Sequence, residues 1–373
     1  MTLFRDTELG KYQTVALLNA DSQHMTFGHS TSCFTKVSLR LLLVVFVSLL
    51  AVSSFAQTAA PCRASSRYKI IPLPLTPARI NDSGVIAGKT EDDQAATWTQ
   101  SKGARELSIA GDFSNVEPMS LNDAEDIVGQ VTVTTTNKVQ AFAYIKGKFE
   151  LLSDVQSKAK AINDAGQIVL EESPGGPILW SAGKSRKLGG CCGGRAFGIN
   201  NRGEIVGELN DREGHYSAFV WDAERGLQII APPGARSSTA LAINNSGHML
   251  IQAFSPNRIF LRQMGKLIPV ELSTEFASQP LALNDCDVIV GEFGTSSDYY
   301  HAFIWDRQHG FRDLNKLVDK AQGWNLESAV DINKRGEIIG TGDRANEGDV
   351  GFLLVPDSEP TDRNSTKIRD GKP

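Results

Sequence analysis

One asparagine recurs seven times along this chain. Asn81, Asn122, Asn163, Asn200, Asn244, Asn284 and Asn333 each follow Ile or Leu and open a turn, at spacings of 41, 41, 37, 44, 40 and 49 residues. Periods of this size mark stacked supersecondary units. A unit of about 40 residues cannot bury its own apolar face and has to lay it against a copy of itself.

The fourth repeat shows what a unit contains. Ala196–Ile199 reads as a strand, Asn200–Gly203 as a turn, Glu204–Gly207 as a second strand and Ser217–Asp222 as a third. A turn at Ala223–Gly226 then leads into Leu227–Ile230. Short β-branched and aromatic runs between Gly, Asn and Asp turns are hairpin chemistry, and helical spacing of apolar residues is absent. Four antiparallel strands per unit predict the blade of a β-propeller, hence an all-β, seven-bladed ring. The strand before each asparagine supports this. Ala161, Gly198, Ala242 and Ala282 stand two residues before it, and Ala159, Ala196, Ala240 and Ala329 four before. Small side chains on one pleat face suit a strand crowded against a central axis.

The ends of the array predict how the ring closes. Tyr68–Leu73 resembles a fourth strand with no blade before it, whereas after Asn333 only two further strands follow, near Glu337–Gly340 and Gly351–Val355. Pairing the two ends completes the seventh blade and removes an open edge. The propeller then spans residues 68–356, after a linker at 57–67 and before a polar tail at 357–373 expected to be disordered. Residues 1–56 read as a leader. Lys36 and Arg40 precede the apolar run Leu41–Ala51, and Ser54-Phe55-Ala56 supplies a small-residue cleavage site. The run is shorter than the roughly 20 residues of a membrane-spanning helix. Translation can begin at Met1 or Met25. A secreted or periplasmic protein follows, without membrane insertion after signal removal.

His301-Ala-Phe-Ile-Trp-Asp306 and the recurrent I-N-x-x-G-x-I-V-G pattern resemble the bacterial HAF-type extracellular repeat family. The full His-Ala-Phe stands only at 301–303, while Ala218-Phe219 and Ala141-Phe142 keep two of the three letters. The resemblance implies export and a propeller-like fold, and it carries over no defined activity.

Composition narrows the function classes. The net charge is −5, with no basic stripe, so nucleic acid is not an expected partner. Cys62, Cys191, Cys192 and Cys286 follow the leader, an even number that permits disulfides in an exported chain, whereas zinc spacing is absent. Pro61 before Cys62 argues against a lipid anchor there. Asp82, Asp123, Asp164 and Asp285 follow four of the asparagines, but each turn offers too few oxygens for a calcium loop. These residues are expected to serve the turns, with Gly84, Gly166, Gly203, Gly247 and Gly336 at positive φ. Hydrolase elbow, metalloprotease helix and phosphate loop motifs are missing. The expectation is a chain without cofactor, metal or catalytic residues.

Loop length points to a binding face. From asparagine to the third-strand landmark the offset is 17 residues in repeats one, three and five, but 21 or 22 in the others. The extra residues fall between strands two and three, on the face where each blade connects to the next. Longer, variable loops on a rigid scaffold are where binding residues concentrate. Tyr299, Tyr300, Trp324, His215 and Tyr216 are the candidate ligand contacts, for a protein or glycan. The rival is a secreted polysaccharide hydrolase or lyase, which requires paired acids converging at the propeller mouth. Arg79 and Asp331 break the small-residue rule in repeats one and seven, which meet only if seven blades close. They are expected to form an ion pair across that seam, or to share a water there.

Overall fold

The computed structural model describes residues 64–357, apart from 174, 190–192, 212, 273–276, 296–299 and 345–347. The leader, most of the linker, Cys62, Cys191, Cys192, Tyr299 and the tail beyond 357 lie outside the described residues. Seven four-stranded antiparallel sheets follow one another. Their inner strands are Thr76–Ile80, Phe113–Leu121, Ser157–Ile162, Gly194–Ile199, Ser237–Ile243, Ser278–Leu283 and Trp324–Ile332. Each repeat is one blade of a seven-bladed β-propeller. The long sixth interval is taken up by two 3-10 turns, Leu314–Lys316 and Lys320–Gln322, before the seventh inner strand.

Ring closure follows the expectation from the chain ends. Tyr68–Leu73 pairs antiparallel with Asp349–Pro356, in a register running from Tyr68 opposite Pro356 to Leu73 opposite Gly351. Asp357 N–H then donates to Arg67 C=O at 2.9 Å. The described end of the linker also packs down. Ala64 is buried at the junction of blades six and seven, and Arg312 Nη1 donates to Ser65 C=O at 2.9 Å.

The second strand of each blade explains the Ile-Val pair of the repeat. Ile205 packs toward blade three, among Val169, Leu179 and Trp221. Val206 packs toward blade five, beside Ala240, Met249 and Ile251. Both faces of the strand are buried, so the sequence runs apolar instead of alternating. Seven such clusters, one per blade-to-blade junction, make up the core. The glycine after the pair is steric. At Gly129, Gly207, Gly291 and Gly340 a Cβ would strike the inner-strand carbonyl of Glu117, Arg195, Gln279 or Ser328, and the ring of Phe142, Phe219, Phe303 or Phe352 lies against the same spot. Each of these rings is fully buried and contributes about 2–3 kcal/mol. Repeat three replaces Gly and Phe together, with Leu170 opposite Ile178.

The recurring asparagines close a circuit. The Nδ2 of each donates to the backbone C=O of the asparagine in the next blade, at 3.0–3.1 Å, and Asn333 returns the bond to Asn81. The Oδ1 accepts from the N–H groups two and four residues on in six of the turns, and in the seventh Asn163 accepts from Gln167. All seven asparagines are buried, at 2–5 % exposure. Asp cannot supply the donor, Leu supplies neither function, and Gln reaches too far. The third residue after the asparagine holds positive φ in every turn. It is glycine in five repeats as expected, but Glu125 (63°) and Asp287 (59°) adopt the same conformation.

Two outcomes follow for stability. Deleting residues 57–75 should expose the outer edge of the seventh blade and lower the melting temperature markedly; an unchanged melting curve would refute closure through this strand. Asn244→Ala should cost about 2–4 kcal/mol in denaturant unfolding, because two N–H groups and a carbonyl lose their partner. The exposed neighbour change Asn245→Ala should cost less than about 1 kcal/mol, and equal losses would sink the circuit as a stabilising element.

Candidate functional site

The propeller axis opens at both ends, and the two openings differ in chemistry. The asparagine end holds a depression of about 190 Å³, lined by the Ile or Leu before each asparagine, the residue after each, and the asparagines themselves other than Asn200. Those following residues form a second circuit. Oδ1 of Asp123, Asp164, Asn201, Asn245, Asp285 and Asp82 each accepts a backbone N–H from the preceding blade, at 2.8–3.0 Å. The circuit is broken only where Lys334 stands, which has no acceptor to offer; its Nζ instead lies 2.9 Å from Asp82 Oδ2. Burial pushes the Asp123 carboxyl up, and the Asp82 and Asp164 carboxylates add to this. These side chains tie neighbouring blades together, whereas the sequence suggested that they would serve only their own turns. Cys286, in the same ring of turns, is disulfide-bonded.

The opposite end, on the loop-bearing face, is built by a bulge. Every inner strand slips register by one residue, three positions before its asparagine. Bulges re-aim side chains, and here they bring the skipped residues to the axis. Met119, Lys160, Phe197, Leu241 and Leu281 line a mouth of about 210 Å³, together with Arg79, Gln252, Gln279 and Pro280. Sequence reasoning missed this set because a bulge leaves no mark in a period-two pattern. The available signal was a large residue flanked by small ones, as in Ala159-Lys160-Ala161 and Ala240-Leu241-Ala242.

The closure seam corrects the expected Arg79–Asp331 ion pair. Asp331 Oδ2 accepts from Ile80 N–H across the seam at 3.0 Å, and its Oδ1 accepts from Ile332 N–H at 3.0 Å. Arg79 Nη1 donates to Ala78 C=O at 2.7 Å, and the two side chains are not among the ion pairs of the described residues. The N–H left free beside the bulge is the stronger claimant on the carboxylate. Ser120 accepts from Ile162 N–H in the same way at 3.2 Å. Burial pushes the Asp331 carboxyl up, while the Arg79 charge works against this. The folded chain therefore binds this proton more readily than the unfolded chain, and the stabilisation fades as pH rises through the raised pKa. The melting temperature of the wild type relative to Asp331→Asn should accordingly rise as pH falls from neutral into the carboxylate range. A difference independent of pH would overturn the assignment.

The expected ligand residues fall into two groups on the same face. Tyr216, 38 % exposed, and His215 stand on blade four, where Arg195 lies over the rings of both Tyr216 and Phe197. A continuous path thus runs from this rim through Arg195 to the mouth. Asp211, Glu213 and His215 gather within 4.8 Å, but Asp211 Oδ1 accepts from the N–H of Glu213 and His215, and His215 Nε2 lies 3.0 Å from Arg236 Nε. Tyr300, 57 % exposed, begins the third strand of blade six, and Tyr299 lies outside the described residues. Trp324 is half-buried against Phe352 and under Arg344, so it packs the blade as well as facing the loops. The carboxyls pushed up are dispersed. Asp331 sits on the seam, Asp123 at the far opening, and Glu327 beside Asp349 and Asp343, with burial the main cause for each.

No family model and no curated protein matches the chain. Solved structures do resemble it. YCF48 bound to D1 peptide aligns with a TM-score of 0.50 at 10% identity, covering 80% of this chain and 100% of that one. YCF48 from Cyanidioschyzon merolae aligns at 0.49 and 12% identity, over 78% and 100%. A gluconolactonase from Xanthomonas campestris aligns at 0.40 and 13% identity, over 78% and 98%. At such identities the likeness concerns the fold alone.

Proposed function

We propose that this chain is an exported interaction module, which holds a polypeptide partner on its loop-bearing face and performs no chemistry. The observation that carries this reading is the mouth. Apolar Met119, Phe197, Leu241 and Leu281 stay partly exposed there beside Arg79 and Lys160. Exposed apolar side chains grouped in a concavity, with charges at its edge and aromatics on the rim, suit a partner's side chains. A neutral glycan would call for stacked aromatics and paired hydrogen-bonding amides or carboxylates instead. Support also comes from the fold, since a propeller of similar architecture has been solved with a peptide bound. The hydrolase reading needs two acids facing one another at the mouth, and the raised carboxyls of the described residues stand apart.

Fractionation and N-terminal sequencing should find the chain outside the cytoplasm, beginning at Gln57. Immobilised residues 57–373 should capture a defined partner from extracytoplasmic material. Tyr216→Ala combined with Tyr300→Ala should release that partner while the melting temperature holds; Arg186→Ala, on an outer strand, should keep it. Capture unaffected by the rim pair would move the site off this face.

A further inference from the structure

The charges around the mouth are unevenly satisfied. Glu208 is buried and receives Arg195 Nε at 2.9 Å and Thr239 Oγ1 at 2.6 Å. Glu117 receives Gln130, and Asp331 receives its two backbone N–H groups. These three acids are occupied. Two cations, Arg79 and Lys160, are less so. Among the described residues the Arg79 guanidinium makes a single hydrogen bond, to the Ala78 carbonyl. Lys160 has only Glu171, with its Nζ 4.0 Å from the carboxylate. Burial pulls the Lys160 amine below its usual range; Glu171 opposes this, and Lys158, Arg195 and Arg79 pull it down further. An anion placed among these groups would relieve their mutual repulsion and fill donors that now face space.

We propose that the axial mouth is a carboxylate pocket, which takes an acidic group on a short apolar stem from the bound polypeptide. This deepens the interaction reading above and rests on it for the source of the ligand. Arg79 presents a planar fork that matches a carboxylate, and Lys160 adds a point charge from the neighbouring side of the mouth. Met119, Phe197, Leu241 and Leu281 supply the wall for the stem. A fully hydrated inorganic anion would waste that apolar wall. The volume of about 210 Å³ has room for one residue, not for a chain in passage.

The chain itself contains a reporter. After residue 56 its methionines are Met119, Met249 and Met264. Met119 lines the mouth, Met249 is 2 % exposed in the core and Met264 is 92 % exposed on a short-turn hairpin. Residues 57–373 labelled at the methionine methyls should be titrated with N-acetyl-leucine and, separately, with N-acetyl-leucinamide. The acid should move the Met119 signal and leave the other two in place. The amide should bind roughly tenfold more weakly or worse, the scale of one charge-assisted hydrogen bond. Arg79→Gln and Lys160→Gln should each reduce the preference and together abolish it. Glu171→Gln should strengthen acid binding by freeing Lys160. Equal responses to acid and amide would overturn the pocket, as would a silent Met119 in a chain whose Met249 signal reports an intact fold. That failure leaves rim-dependent capture of a partner standing. Conversely, acid preference without rim-dependent capture would keep the pocket and remove the polypeptide as its source.

Discussion

The fold depends on a side chain that is short, uncharged, and both donor and acceptor. Each axial asparagine ends an inner strand and pins its own turn through Oδ1. Through Nδ2 it reaches the main chain of the next blade. Local turn and long-range assembly are thus decided by the same amide. In blades two, three, four and seven the spare Nδ2 hydrogen goes to Asp126, Gln167, Glu204 or Glu337, four residues on. In blade five His248 stands at that place, and Asp287 of the next blade takes over, held by His248 and Gln263 as well. There the neighbouring blade supplies the acceptor. Blades one and six carry Val85 and Val288 at that place, and among the described residues Nδ2 of Asn81 and Asn284 is bonded only to the next blade's carbonyl. The bond that every blade keeps is the one that joins it to its neighbour.

This division explains what could be read from the sequence. The asparagine, the Ile-Val pair, the glycine and the third-strand phenylalanine are fixed by burial and close backbone approach, so they recur and reveal blade count and closure. The mouth follows no such rule. Six of the residues skipped by the bulge are apolar and one is Lys160. Only the placement of the backbone makes them neighbours. The seam shows the same limit. Arg79 and Asp331 were legible as departures at meeting positions, but a pattern of side chains cannot announce that a bulge has left Ile80 N–H in need of an acceptor. Trp324 was legible as an aromatic near the loop face, yet not as a residue also packed on Phe352.

The two ends of the axis illustrate how one scaffold separates cohesion from recognition. At the turn end, polar groups are spent on neighbouring blades, down to the N–H of the following residue in six of the seven blades. At the loop end, the inner strands have already given up part of their ladder to the bulge, and side chains there face a concavity in place of a partner strand. Charges that would be redundant in the first setting become available in the second.

The hydrogen bond from Asn333 to Asn81 is indistinguishable in length and partner from the other six. All seven donate in the same rotational sense. The circuit has a direction but no first member. Arg67 and Asp357, the main-chain groups flanking the closing pair of strands, are already hydrogen-bonded to each other. The seam is therefore a property of the thread and not of the object it winds. A cyclised chain reopened in any loop between second and third strands would describe the same ring from a different starting point.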